Sequence, residues 1–271
     1  MVPAGGRIAT HRLRAAAYRP AVGDGAMGDI ITLTNVTASY QRHPAIHHIS
    51  GRIAAGSLTA IMGPNGSGKS TLLKAIKGLI PLEHGKIIYT GIDRADIAFL
   101  PQYHQLEFHF PVSVLELVLL GHWRRAKLCG AMSLECQQAA CDALARVGLA
   151  GFEQRRINTL SVGQLQRVLF ARVIVEDARA ILLDEPFNAV DSATTEILLQ
   201  QIHRWHAEGR TLLLAVHDLA QANAHFPQAI LMAREVVGWG DTASVLTQAN
   251  LARTRAMVEA WDEHAPACAL I

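Results

Sequence analysis

Two kinds of hydrophobic pattern alternate along this chain. Short unbroken apolar runs, in "SLTAIMG", "AILLDEP" and "TLLLAV", are bounded by turn-forming or charged residues. Between them lie segments such as "KSTLLKAIKGL", "DSATTEILLQQIHRWHAEG" and "DLAQANAHF", where apolar positions return every three or four residues. The first kind predicts strands buried on both faces and the second predicts amphipathic helices. Their alternation predicts an α/β fold with a largely parallel sheet covered on both sides. "IITLTNVTASY" alternates well enough to predict a strand ending at Tyr40, and "KIIYTG" and "IAFLPQ" predict short strands. From about Tyr103 to Leu160 the pattern is helical, in "VSVLELVLLGH" and in "SLECQQAACDALARVGL", where Leu134, Ala140, Leu144 and Val147 are expected on one side. A helical block thus divides the α/β core.

The predicted organisation is a flexible extension over residues 1–28, an α/β domain over 29–245 with its helical subdomain at about 103–165, and a C-terminal helix and tail over 246–271. Met27, just before the first clear strand, is the expected native start. At 271 residues, 50% hydrophobic and 18% charged, the chain can bury a sizeable core. A balance of 25 Lys+Arg against 23 Asp+Glu supplies no basic surface for nucleic acid. No apolar run approaches the ~18–20 residues that cross a bilayer, and the Arg-bearing N-terminus lacks the apolar block of a secretory signal, so a cytoplasmic location is expected. Cys129, Cys136, Cys141 and Cys268 show no C-x-x-C spacing, and no disulfide framework is expected. His47 with His48, and His203 with His206, have no Cys, Asp or Glu cluster beside them, so they are expected on solvated surface rather than at a metal.

The strongest chemical signal is "GPNGSGKST", between a predicted strand and a predicted helix. It satisfies G-x-x-x-x-G-K-[ST], in which successive backbone N–H groups and a helix N-terminus face one anion. Gly63, Gly66 and Gly68 let the loop of Pro64, Asn65 and Ser67 wrap a phosphate without an intervening side chain. Lys69 is expected between the β- and γ-phosphates of ATP, Ser70 on Mg²⁺, and Thr71 in the first helical turn. In "AILLDEP" the apolar strand delivers Asp184 to its C-terminal end, where α/β sheets bind ligands. Asp184 suits Mg²⁺, and the adjacent Glu185 suits orienting and polarising the attacking water. "LLLAVHDL" repeats the geometry with His217, which meets the γ-phosphate or the water if its strand neighbours that of Glu185.

"LSVGQLQRV" holds the parts of a phosphate half-site, in the Ser161 hydroxyl, the Gly163 backbone and a helix N-terminus with Gln164, but it has no lysine and no Mg²⁺ ligand. One complete loop and one half-site per chain suggest that two copies meet head-to-tail, each covering the other's nucleotide. With these residues the sequence resembles the ATP-binding-cassette ATPases, from about Ile30 to Gly240. "ILLDE" resembles their Walker B strand, "LSVGQ" their signature and "FNAVD", ending at Asp191, their D-loop. By that resemblance Tyr40 stacks on adenine, Gln102 of "FLPQ" touches Mg²⁺ and couples to the membrane partner, and His217 is the switch histidine. The resemblance implies the P-loop NTPase fold of these ATPases, with a mainly parallel sheet core, an antiparallel β portion and an inserted α-helical subdomain. Val162 departs from the usual glycine of the signature and would be strained if that position needs a positive φ. Asn188-Ala189-Val190 departs from the more usual Ser-Ala-Leu.

A single cassette with no membrane helices resembles an importer subunit that docks on separate permease subunits, with an extracytoplasmic substrate-binding protein as indirect partner. "YHQLEFHFPVSVLELVLLGHWRR" resembles the corresponding region of zinc/manganese-type importers, with zinc the expected cargo. A coarser likeness to siderophore and haem importers remains. Soluble relatives of DNA repair or translation carry long coiled coils or two cassettes, and neither pattern is present in this sequence.

Overall fold

The computed structural model describes residues 28–40, 43–102, 111–123 and 133–259. Strands β1 (Asp29–Tyr40), β2 (His43–Ala54) and β3 (Leu58–Met62) precede helix α1 (Lys69–Lys77), followed by β4 (His84–Tyr89) and β5 (Ile97–Leu100). The helices α2 (Val114–Leu119), α3 (Leu134–Arg146) and α4 (Val162–Glu176) come next. Then β6 (Ala180–Asp184), α5 (Ser192–Ala207), β7 (Thr211–Ala215) and α6 (Leu219–His225) alternate. The hairpin of β8 (Gln228–Ala233) and β9 (Glu235–Asp241) and the helices α7 (Thr242–Val245) and α8 (Gln248–Glu259) end the described chain.

The strands form two sheets. One is antiparallel, in the order β2-β1-β4, and the other has the order β5-β6-β7-β3-β8-β9, parallel except for β9. The unbroken apolar runs lie at the centre of the larger sheet, where β3, β6 and β7 are buried along their whole length. Successive side chains alternate faces. Ile181 and Leu183 of β6, with Leu212 and Leu214 of β7, join a core under α4 and α5. Leu182 and Leu213 join a second core, built with Leu72, Leu73 and Ile76 of α1 and the apolar face of the antiparallel sheet. The parallel order sends the C-terminal ends of β3, β6 and β7 to one edge.

The helical block packs on α4. Ser113 and Glu116 cap α2 reciprocally, and Ser133 caps α3. Val114, Val118, Ala140 and Leu144 share one buried cluster with Leu165, Val168 and Leu169 of α4. Leu134 does not join Ala140, Leu144 and Val147 as expected; it is 82% exposed. At about 100° per residue, six residues turn it roughly a third of a circle away from Ala140, while Leu144 and Val147 fall within about 40°. The expected helical stretch also covers residues 103–110 and 124–132, which lie outside the described residues, as do the extension before residue 28, Met27 included, and the tail after Glu259.

The strands β2, β8 and β9 are additions to the elements expected from sequence. In β2 the buried Ile46, Ile49 and Ile53 fall three and four apart, because the pairing with β1 shifts register repeatedly and His48 has φ of 49°. Bulges thus give a strand a helix-like spacing. The apolar run of β8 follows α6 after only Phe226 and Pro227, and a run of that length does not distinguish a strand from the continuation of a helix.

Trp239 of β9 joins the two sheets. A Cβ at Gly51 of β2 would lie 2.2 Å from the Trp239 ring. Gly51→Ala is therefore expected to cost about 1–3 kcal/mol by overpacking. Leu134→Ala, on an exposed side chain, should change stability by no more than about 0.5 kcal/mol. Urea denaturation of both variants checks the pair of expectations.

Candidate functional site

The edge where β3, β6 and β7 end carries a cavity of about 560 Å³. Its floor is the loop between β3 and α1. Gly63 has φ of 152°, and an added Cβ would lie 2.2 Å from the Met232 carbonyl oxygen. Gly68 has φ of 94°, and its Cβ would lie 2.5 Å from the Ala45 carbonyl oxygen. Neither position accepts a side chain, so the loop stays close to its neighbours and keeps its backbone turned to the cavity. Gly68 gives α1 no side-chain cap, which leaves first-turn N–H groups available to an anion.

Lys69 is buried, and its Nζ donates to the carbonyl oxygens of Gly63 at 2.9 Å and Pro64 at 3.1 Å. Burial lowers its pKa, against the opposing pull of Glu185 and Asp184. Ser70 Oγ donates to Asp184 Oδ1 at 2.9 Å. The other oxygen, Asp184 Oδ2, is buried without a hydrogen-bond partner. Burial pushes the Asp184 carboxyl above its ordinary range, the Ser70 bond opposes this, and the charge of Glu185 adds to it. A hydroxyl and a half-satisfied carboxylate facing one another are the hard oxygen ligands that Mg²⁺ takes alongside phosphate and water. The residues therefore fit that ion.

Glu185 follows β6 at φ of 50°, with its N–H donating to the Ala215 carbonyl of β7 at 3.1 Å. The left-handed turn brings its carboxylate to the cavity wall, where Oε2 accepts from Gln102 Nε2 at 2.6 Å and from Asn188 Nδ2 at 3.3 Å. The strands β6 and β7 are neighbours, with Asp184 opposite Ala215, so His217 lines the same cavity as Glu185. Asn65, Gly66, Ser67, Lys69, Ser70 and Thr71 line it from the loop side.

The remaining expected residues stand elsewhere. Ser161 caps α4: its Oγ accepts from Gln164 N at 3.2 Å, and Gln164 Oε1 accepts from Ser161 N at 3.0 Å. Asp191 caps α5, with Oδ1 accepting from Thr194 N at 2.6 Å, and this backbone bond lowers its pKa. Ser161, Gly163, Gln164 and Asp191 do not line the cavity of their own chain. Val162 begins α4 and is not among the positive-φ residues, so the departure from glycine carries no backbone strain. A Cβ on Gly163 would lie 3.2 Å from Thr194 Oγ1, which gives that glycine a packing role as well. Tyr40 ends β1, and its side chain lies outside the described residues.

Two wall residues carried no expected role. Asn188 was visible only as an unusual residue before Asp191, and Ala45 sits on β2, whose bulges hide it from the pattern.

Comparison with known proteins agrees with this geometry. Residues 46–188 match the family model of the ABC transporter. The chain is 36% identical over 228 residues to the manganese transport system ATP-binding protein MntB of Bacillus subtilis, covering 83% of this chain and 91% of that one. It is 34% identical to the zinc transport system ATP-binding protein TroB of Treponema pallidum, covering 82% and 85%. A dimeric bacterial ABC transporter cassette superimposes with a TM-score of 0.70 at 32% identity, over 79% of this chain and 99% of that one. A glycine loop with its lysine, a serine bonded to a strand-end aspartate, and a match over most of the length converge on one answer: the chain belongs to the ABC transporter family, as an ATP-hydrolysing cassette.

Proposed function

We propose that this cassette powers uptake of a divalent transition metal through separate membrane permeases, hydrolysing ATP in sites shared by two head-to-tail copies. The observation that carries the hydrolytic part is the Ser70–Asp184 pair, 2.9 Å apart beside Lys69, with Asp184 Oδ2 buried and unpartnered. Lys69 leaves its loop carbonyls for the phosphates, and the N–H groups at the start of α1 hold the same anion. Ser70 and Asp184 hold Mg²⁺, with Gln102 at the same wall; when bound, that ion neutralises charge on the phosphate oxygens. Gln102 and Asn188 fix one Glu185 oxygen, so the carboxylate is oriented to align a water and take its proton. His217 contacts the γ-phosphate from the neighbouring strand.

Tyr40 supplies the aromatic face for adenine. Ser161, Gly163 and Gln164 of a second copy complete the site, with Asp191 at the junction. Their position away from their own cavity supports this sharing, as does the dimeric relative. Among the described residues no helix is long and apolar enough to cross a membrane. Permease subunits therefore supply the path, an extracytoplasmic binding protein delivers the ion, and the cassette rides on the inner face. Relatives named for manganese and for zinc support a first-row metal cargo. Manganese names are more frequent among them than the zinc expected from sequence, and both ions remain within the proposal.

Asp184→Asn tests the ion site. Removing a buried, half-satisfied charge should raise the melting temperature of the nucleotide-free protein by about 2–4 °C, the equivalent of roughly 1 kcal/mol. The gain should be present above the ordinary carboxylate range, where the unfolded acid is ionised and the raised native pKa costs stability. The same variant should lose the extra stabilisation that Mg²⁺ adds to ATP; retention of it would remove Asp184 from the ion site. Glu185→Gln should bind ATP normally while phosphate release falls about 10²–10⁴-fold and a dimer accumulates. Turnover near wild type in that variant would move the base elsewhere.

The cargo is tested in chelator-starved cells lacking the chain. Wild type should restore uptake of radiolabelled manganese or zinc, and Glu185→Gln should restore neither. Competition by the unlabelled ions then names the metal. Unchanged uptake of both ions would overturn the cargo while leaving the ATPase intact.

A further inference from the structure

We propose that His203 and His225 bind one divalent ion of the zinc class, joining α5 to α6 at a site separate from the nucleotide cavity. His203 lies in the fourth turn of α5 and His225 is the last residue of α6, so 22 positions of chain separate them. Their rings nevertheless face each other, with His203 Nε2 and His225 Nδ1 3.2 Å apart. Two imidazole nitrogens each about 2.0–2.1 Å from Zn²⁺ at the tetrahedral angle would lie about 3.3–3.4 Å apart. The nitrogen spacing needs to open by only about 0.1–0.2 Å, and each ring must turn so that its lone pair points off the N···N line toward the ion.

Without metal, a proton on one nitrogen makes the contact a hydrogen bond. Binding shifts the donating ring to its other neutral tautomer, the proton passing through solvent to that ring's far nitrogen, so that both lone pairs face the ion with no net loss of a proton. Partial desolvation lowers the pKa of the exposed His203, with His225 and His206 acting in the same direction and Glu196 opposing them. Among the described residues no group of three or more His, Cys, Asp or Glu gathers around a metal position. Two imidazoles and water therefore make the set, which suits Zn²⁺, Ni²⁺ or Cu²⁺ and discriminates against Mg²⁺ and Mn²⁺, which prefer oxygen.

The site has a mechanical consequence. Asp191 caps the start of α5, and Asp218, which follows the cavity residue His217, caps the start of α6. An ion between His203 and His225 would tie together the two helices that begin just after Asp191 and just after His217-Asp218. Metal in the compartment of the ATPase would thereby restrain both site loops.

The test uses the whole chain, with long-range ¹H–¹⁵N imidazole spectra and thermal melts recorded against ZnCl₂, MgCl₂ and MnCl₂. Zn²⁺ should move His203 Nε2 and His225 Nδ1 together. It should raise the wild-type melting temperature by about 2–4 °C at a concentration about fivefold above Kd. His203→Ala and His225→Ala should fold, hydrolyse ATP as wild type does without zinc, and lose that rise; Mg²⁺ and Mn²⁺ should reproduce neither effect. Zinc shifts at other imidazoles that leave these two unmoved, or an equal zinc response in wild type and both variants, would overturn the site.

Discussion

The hydrogen bond from Ser70 to Asp184 ties the first turn of α1 to the end of β6, two places in the chain more than a hundred residues apart. It forms because β3 and β6 run parallel in one sheet, so that both of their C-terminal ends reach the same edge. The bond satisfies one carboxylate oxygen and leaves the other buried and bare. Lys69, also buried, is held by carbonyls of its own loop. Two opposite charges are thus kept out of water and incompletely paired, an arrangement that costs stability and that a nucleotide with its ion can relieve. Relief of that cost is one way this edge favours an anion with its ion.

The surrounding fold offsets that cost. Strands buried on both faces, with α1 on one side and α4 and α5 on the other, make an edge too rigid to collapse around its charges. The left-handed turn at Glu185 belongs to the same account: an unfavourable backbone conformation is held by the Ala215 carbonyl and delivers the carboxylate to the wall. Ser161 illustrates a different economy. Within one chain it is an ordinary helix cap, and its hydroxyl and the α4 N-terminus stand on surface where a second copy can reach them.

Legibility in the sequence followed the range of each interaction. The glycine loop and the strand ending in Asp184 are set by residues a few positions apart, and each was readable; Ser161 and Asp191 were read only as site residues, and their capping of α4 and α5 came from the structure. The meeting of His217 with Glu185 depended on β6 and β7 being neighbours, which short apolar runs leave open. Bulges in β2 gave Ile46, Ile49 and Ile53 a misleading spacing and concealed Ala45 in the cavity wall. Leu134 was misjudged because its helix begins there, off the buried side. Asn188 looked like a departure without a role until its amide was seen on Glu185, and His203 was paired with His206 along one helix although its contact is His225 on another.

The central claim, that each ATP site is built from two copies, has a direct measurement in phosphate release by mixtures of Lys69→Ala and Ser161→Ala. Each variant alone damages every site. A head-to-tail mixed dimer concentrates both defects in one site and leaves the other with intact Lys69 and Ser161. Equal mixing should therefore recover roughly a quarter of wild-type activity if subunits exchange freely and the sites work independently. A mixture no more active than its two parents, with exchange demonstrated, would contradict the shared site.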